Sequence, residues 1–383
     1  MTTCYQLLAS VLPNLPGHAS DLARRLGSTR WPPTPVAEGV AAVRTRLYAE
    51  AWLNWLRQEP SNTWGRHRRV ETGLGEVRLV CFPGHGTTPL LLLHGWPTSF
   101  LAFHRVIEPL QQVASEVVLA LLPGFGAPMP RDGGMGVSTI AAMLTEAMLG
   151  VEHERFIVHG EDWGSVIARR MAGAFPEHVA GFHVSAGLGG FIADAPECGL
   201  PWQRLREFAD EGAGYLNIQA RRPDSLAIGL HDSPAGLLAW QLDKYDLWQA
   251  SLGAGFGLGE DFIFANATFY WATQSIGSSM RIYADNRAAG NGCPSQVPTA
   301  VSVFGAGDFA SREVAARENN LLSWYEHPNG GHVAPLDAHT DFIADLSDFI
   351  THLEATPSPS DRPSCSSAEV GSPLGRGSGS PRT

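Results

Sequence analysis

The stretch HGEDWGSVI, residues 159 to 167, holds the side chains best placed for chemistry. A short apolar run from Arg155 to His159 enters the turn Gly160-Glu161-Asp162-Trp163-Gly164, and the helix-forming Val166-Ile167-Ala168-Arg169-Arg170 follows. Strand, sharp turn and helix in that order make a nucleophile elbow, with Asp162 where Gly-x-Ser-x-Gly enzymes carry serine. A carboxylate needs no deprotonation to attack. It can displace oxygen or halide at carbon and leave an ester that a second step hydrolyses. Local sequence alone leaves another role open, because Asp is also a common cap for a helix beginning at Trp163 or Gly164.

Two further segments supply partners. In LLLLHGWPTSF, residues 90 to 100, a buried strand ends in His94-Gly95-Trp96-Pro97, after which Thr98 or Ser99 can cap the next helix. Backbone amides of Trp96 and of Trp163, the residue after the nucleophile, would form an oxyanion hole. The Trp96-Pro97 peptide is expected to be cis. In HPNGGHVAPLD, residues 327 to 337, His332 follows two glycines just beyond a strand. A lone histidine is usually structural, but here it falls last in the chain order nucleophile, acid, histidine. The acid expected between them is Asp308 in VFGAGDFAS, orienting the His332 ring. Asp194 is the remaining candidate.

These residues need a sheet to hold them. From about 76 to 190, runs at Glu76 to Phe82, Leu90 to His94, Val117 to Leu122, Phe156 to Gly160 and Val179 to Ser185 predict strands; helices are expected near 99 to 113, 137 to 149 and 164 to 175. This alternation predicts an α/β fold with a mostly parallel sheet flanked by helices. Residues 1 to 75 read as an N-terminal arm, 76 to 190 as the first part of the α/β core, 191 to 292 as an inserted helical cap, and 293 to 355 as the second part of the core. That last part has strands at 297 to 304 and 321 to 327 and a final helix from about 336 to 354. The Ser/Pro/Gly/Arg-rich residues 356 to 383 read as a disordered tail.

Composition excludes several classes. With 27 Lys+Arg against 38 Asp+Glu, a formal charge of −11 opposes nucleic-acid binding. The single lysine, Lys244 in WQLDKYDLW, reads as part of a solvated helix face and not as a Schiff-base former. Five cysteines without CxxC spacing fit a reducing, cytoplasmic compartment. No apolar run reaches the ~20 residues of a membrane helix, and the N-terminus lacks the pattern of a secretory signal. The glycines of 253 to 259 fit a flexible cap loop better than a phosphate-binding loop. No metal or organic cofactor is expected.

The chain from about Arg24 to Leu353 resembles the epoxide hydrolases of the α/β-hydrolase fold, in the branch with an N-terminal arm that includes the microsomal enzymes. The resemblance rests on TRWP, HGWPTSFLAF, GEDWGSVI, GYLNIQARRPDSLAIGLHDSPAGLLAW, FYWATQSIGSSMRIYADN and GGHVAPLD, in that order. It implies two residues that the pattern alone would assign to the core: Tyr215 and Tyr283, a cap pair that hydrogen-bonds the epoxide oxygen. Three departures stand out. Glu161 occupies a position commonly glycine in relatives. The acid three residues after the strand-ending Phe is replaced by Gly307, with Asp308 one further on. No anchor precedes the arm, so a soluble bacterial-type relative is the better comparison.

The reaction so implied converts a small-molecule epoxide to a vicinal diol through a hydroxyalkyl ester on Asp162, which water activated by His332 then hydrolyses. A haloalkane or haloacid dehalogenase with the same aspartate nucleophile, and a catalytically inactive ligand-binding relative, are the alternatives. A homodimer is left open.

Overall fold

A computed structural model describes residues 3–12, 15–33, 42–58, 64–185, 200–249, 257–287, 293–305 and 308–355. Among them, eight strands form one sheet in the order β1-β2-β4-β3-β5-β6-β7-β8. The strands are β1 (Arg66–Thr72), β2 (Gly75–Pro83), β3 (Leu90–Leu93), β4 (Glu116–Leu121), β5 (Phe156–Glu161), β6 (Val179–Ser185), β7 (Ser295–Phe304) and β8 (Asn319–His327). From β4 across to β8 every pairing is parallel. The carboxyl ends of β3, β5, β7 and β8 therefore meet along one edge, where open α/β sheets place their ligands.

Strand β3 is four leucines, all fully buried, as a parallel strand covered on both faces must be. Helices α5 (Val137–Gly150) and α6 (Trp163–Ala174) pack together on one face of the sheet. On the other face, α15 (His339–Ala355) buries Phe342, Leu346, Phe349 and Ile350. The arm contributes α1 (Cys4–Val11), α2 (Leu15–Gly27) and α3 (Ala42–Trp55), while the described cap residues are helical in α7 (Leu200–Glu207), α8 (Gly214–Arg221), α9 (Pro223–Asp232), α10 (Pro234–Gln249), α11 (Glu260–Thr273) and α12 (Ile276–Asp285). Arm and cap are stitched by buried polar contacts: Trp52 Nε1 donates to Thr268 Oγ1 at 2.7 Å, and Trp55 Nε1 to Asp261 Oδ1 at 2.8 Å. Three short helices remain: α4 (Ile107–Leu110), α13 (Arg312–Glu318) and α14 (Ala334–Asp337).

Four readings differ from what the structure contains. The basic residues 66 to 72, assigned to the arm, form edge strand β1, paired with β2 through a tight turn in which Thr72 Oγ1 accepts from Gly75 N at 3.1 Å. Its side chains are mostly exposed on both faces, so no alternation marks it as a strand. The helix expected over 99 to 113 is a 3₁₀ turn at Phe100–Phe103 followed by α4; Pro109 has no amide to extend a longer helix. The final helix is interrupted, with α14 ending at Asp337 and α15 beginning at His339. Lys244 is buried, its ammonium 2.7 Å from Asp243 and 4.4 Å from the Tyr215 ring centroid. A charged pair masked the inward side of α10. Residues 356 to 383, Asp194, Gly307 and the boundary near 191 lie outside the described residues.

A buried polar chain runs beneath the sheet on the α15 side. His159 Nδ1 meets His183 Nδ1 at 2.8 Å, His183 Nε2 meets Ser302 Oγ at 2.8 Å, and Ser302 donates to Asp345 at 2.6 Å. Burial pushes the His183 imidazole down to about 3. The folded ring thus stays neutral where the unfolded chain binds a proton, so its contribution is complete above pH ~6.5 and is lost as pH falls from there toward 3. Replacing His183→Gln is expected to shrink the stability loss between pH 7 and pH 5 by about 2 kcal/mol relative to the parent. Urea unfolding at the two pH values measures the difference; an identical loss in both proteins would mean that the ring titrates normally in place.

Candidate active site

The site forms where β5 breaks. Asp162 follows the strand directly with φ 51 and ψ −125, a conformation that non-glycine residues rarely adopt and that aims the side chain out of the sheet edge. It makes no side-chain cap to α6. Instead its Oδ1 accepts from the Trp96 amide at 2.8 Å and its Oδ2 lies 3.2 Å from His332 Nε2. A carboxylate with an amide donor on one oxygen and an imidazole on the other is positioned to react and not to hold a helix end.

Close approach of two loops makes this geometry. A Cβ on Gly95 would lie 2.2 Å from Asp162 Cβ and from Oδ1, and one on Gly164 would lie 2.1 Å from the Leu93 carbonyl oxygen. Glycine is thus required at both places by space. Ser99 caps the 3₁₀ turn after the HGWP loop, and the Trp96-Pro97 peptide is cis. Trp163 is the first residue of α6, so its amide is among those with no partner within the helix.

Above the carboxylate, the cap brings in both tyrosines. Tyr215 and Tyr283 are buried, with ring centroids 6.0 Å apart, and both lie against the Trp96 indole, Tyr215 stacked at 5.8 Å and Tyr283 edge-on at 5.7 Å. The Tyr283 hydroxyl has no hydrogen-bond partner among the described residues. Burial, followed by Asp162 for Tyr215 and by Tyr215 and then Asp162 for Tyr283, pushes both phenols well above their ordinary range, so they are neutral donors at any working pH. The signal for them in sequence was motif resemblance alone; as isolated aromatics they look like core.

His332 follows Gly330 and Gly331 and is partly covered by Trp248, whose ring lies 4.2 Å from it between centroids, tilted by 32°. Asp308 is buried beyond the end of β7, where its Oδ1 accepts from Ala310 N at 3.1 Å and its carbonyl accepts from Arg204 at 2.9 Å. Those bonds tie it to its own loop and to the cap; the bond that His332 makes among the described residues goes to Asp162. Chain pattern also missed Asp337 in α14. Its carboxylate accepts from Gly331 N at 3.0 Å, and burial pushes it up to about 6 against the opposing pull of that bond and of His332. It braces the loop that carries the histidine.

Glu161 is 1% exposed, and neither oxygen has a hydrogen-bond partner among the described residues. Burial first, then Asp162 and Asp337, push this carboxyl well above the usual range. Its charged form is thus disfavoured beside Asp162. Adding a methyl at Gly95 tests the fit directly. Gly95→Ala is expected to lower turnover about 100-fold or more by displacing Asp162, in steady-state assays on protein whose far-ultraviolet circular dichroism is unchanged. Near-parental turnover would show that the loops separate without cost.

Comparisons with known proteins agree with this architecture. A family model described as the alpha/beta hydrolase fold matches residues 88–226, and one described as the epoxide hydrolase N terminus matches residues 16–103. Juvenile hormone epoxide hydrolase of Manduca sexta is 31% identical over 332 residues, covering 73% of this chain and 71% of its own. Epoxide hydrolase 1 of Oryctolagus cuniculus is 30% identical over 324 residues, covering 71% and 70%. The crystal structure of juvenile hormone epoxide hydrolase from the silkworm Bombyx mori superposes with a TM-score of 0.74 at 24% identity, covering 88% of this chain and 92% of that one, which shows the shared fold.

Proposed function

Because the chain belongs to the epoxide hydrolase family, we propose that it opens small-molecule epoxides to vicinal diols through an ester on Asp162. The observation that carries this reading is the carboxylate held between the Trp96 amide and His332 Nε2, beneath two buried neutral phenols.

In the first step Asp162 Oδ2 attacks an oxirane carbon and the carbon–oxygen bond breaks. A proton from Tyr215 or Tyr283 passes to the departing oxygen, so charge develops against donors already in place. The product is a hydroxyalkyl ester whose carbonyl oxygen is Oδ1, still on the Trp96 amide. Freed from the carboxylate, His332 Nε2 takes a proton from water as that water adds to the ester carbonyl, and Trp96 and Trp163 amides hold the oxyanion. Collapse expels the diol alkoxide, which takes the proton held on His332 Nε2, and the remaining proton of the added water returns to the tyrosine that donated in the first step, restoring the phenol and the Asp162 carboxylate with one oxygen from water. The acid assigned to orient the ring by its place in the chain order is Asp308, buried beyond the end of β7, which would have to turn from its own loop toward His332 to do so. Nothing in these two steps calls on a metal or organic cofactor. The cysteine usage and charge that disfavour an extracellular or nucleic-acid role support a cytoplasmic enzyme.

Isotope tracing decides the first step. One turnover of excess enzyme in ¹⁸O-water is expected to yield diol without label, its new oxygen drawn from Asp162; labelled diol in that first turnover would mean direct attack by water. Slowing the second step should expose the intermediate. His332→Gln is expected to accumulate protein heavier by the mass of one epoxide, with the adduct on the Asp162 peptide in mass spectrometry. Tyr283→Phe should lower the rate of adduct formation by roughly 100-fold or more, without slowing its hydrolysis to the same degree.

A further inference from the structure

The cap wall holds polar groups that the reaction does not use. Gln241 in α10 is fully buried, and neither its carboxamide nitrogen nor its oxygen has a partner among the described residues. One turn later Tyr245 donates to the Pro97 carbonyl at 3.3 Å, and two turns later the Trp248 ring lies against His332, centroids 4.2 Å apart. At roughly 100° per residue, Gln241 lies between those two side chains around the helix. It therefore shares the helix face that meets the HGWP loop and the histidine, one and two turns back along the axis. Gln219, one turn after Tyr215 on α8, is also fully buried; its oxygen accepts from Trp240 Nε1 at 3.0 Å while its nitrogen has no partner. Tyr215 and Gln219 share a helix face. Buried amides left unmatched are costly, and a binding pocket is where such groups find partners in a ligand.

Charge narrows what that ligand is. Among the described residues of α8 and α10 that line this wall the cation is Lys244, committed to Asp243 at 2.7 Å and 4.4 Å from the Tyr215 ring centroid. A carboxylate entering here would meet Asp162 without an uncommitted cation among those residues to balance it. A neutral group with an acceptor oxygen, and a donor for Gln241 Oε1, matches the open atoms.

We propose that Gln241 and Gln219 bind a neutral carboxamide or hydroxyl-bearing carbonyl substituent carried beside the oxirane, so that polar epoxides of this kind are preferred over hydrocarbon ones. This rests on the proposed function. It makes both glutamines specificity-determining residues of the same site.

A matched pair of epoxides tests it: glycidamide, and 2-isopropyloxirane, in which two methyl groups replace the carboxamide heteroatoms. The parent enzyme is expected to favour glycidamide in kcat/KM, and Gln241→Met, which keeps the length and removes both hydrogen-bonding ends, should lower the ratio of the two kcat/KM values about tenfold. An unchanged ratio would overturn the proposal, whether both activities persist or fall together, since a merely structural glutamine would affect the two epoxides alike. Turnover of 2-isopropyloxirane with a parent preference against glycidamide would also overturn it while leaving epoxide hydrolysis standing. Absence of turnover on both epoxides would overturn the two readings together.

Discussion

The hydrogen bond from the Trp96 amide to Asp162 Oδ1 is the contact on which the rest of the site depends. It fixes one carboxylate oxygen on the backbone and leaves the other to His332. Making it requires a backbone turn of positive φ at Asp162 and a loop whose glycine lets the chain come within contact distance of that side chain. Both demands are met at the carboxyl ends of two adjacent parallel strands, β3 and β5. The sheet fixes the spacing, and the strained residue is tolerated because packing on both faces leaves it no alternative.

Around this contact the molecule separates two kinds of electrostatic environment. Asp162 is reached by an amide and an imidazole. Glu161, its neighbour in sequence, has neither among the described residues, and its charged form is disfavoured. Glu161 closes β5 while Asp162 lies in the positive-φ turn beyond it, so the two carboxyls meet different surroundings. The phenols above are held neutral, and a neutral phenol is the form that can donate to a developing alkoxide.

The arm matters to the site through the cap. Asp261 in α11 accepts from Trp55 Nε1 and from the Cys4 amide, Arg44 pairs with Asp246 in α10, and Arg25 reaches Asp232 at 2.8 Å. Surface ion pairs of this sort contribute little individually. The buried tryptophan contacts, with Trp52 fully enclosed, carry more of the apolar burial. Their effect is to hold α10, which presents Tyr245 to the HGWP loop and Trp248 to His332, in place beside Asp162.

Sequence by itself determined what depends on local pattern. Strand runs such as LLLL, the small residues of the elbow and a cap at Thr98 or Ser99 were legible, because each is set by residues close in the chain. Strand β1 was not legible, since an exposed edge strand has no apolar alternation to betray it. Nor was the inward face of Lys244, which only the packing of α8 against α10 defines. Tertiary structure alone decided that Asp162 meets Trp96 and His332 and caps nothing, that two tyrosines far apart in sequence stand over it, and that Asp337 braces the histidine loop. Those pairings span 66 to 170 residues in the case of Asp162. Contacts of that range arise from how strands order themselves in the sheet, which no local window of sequence encodes.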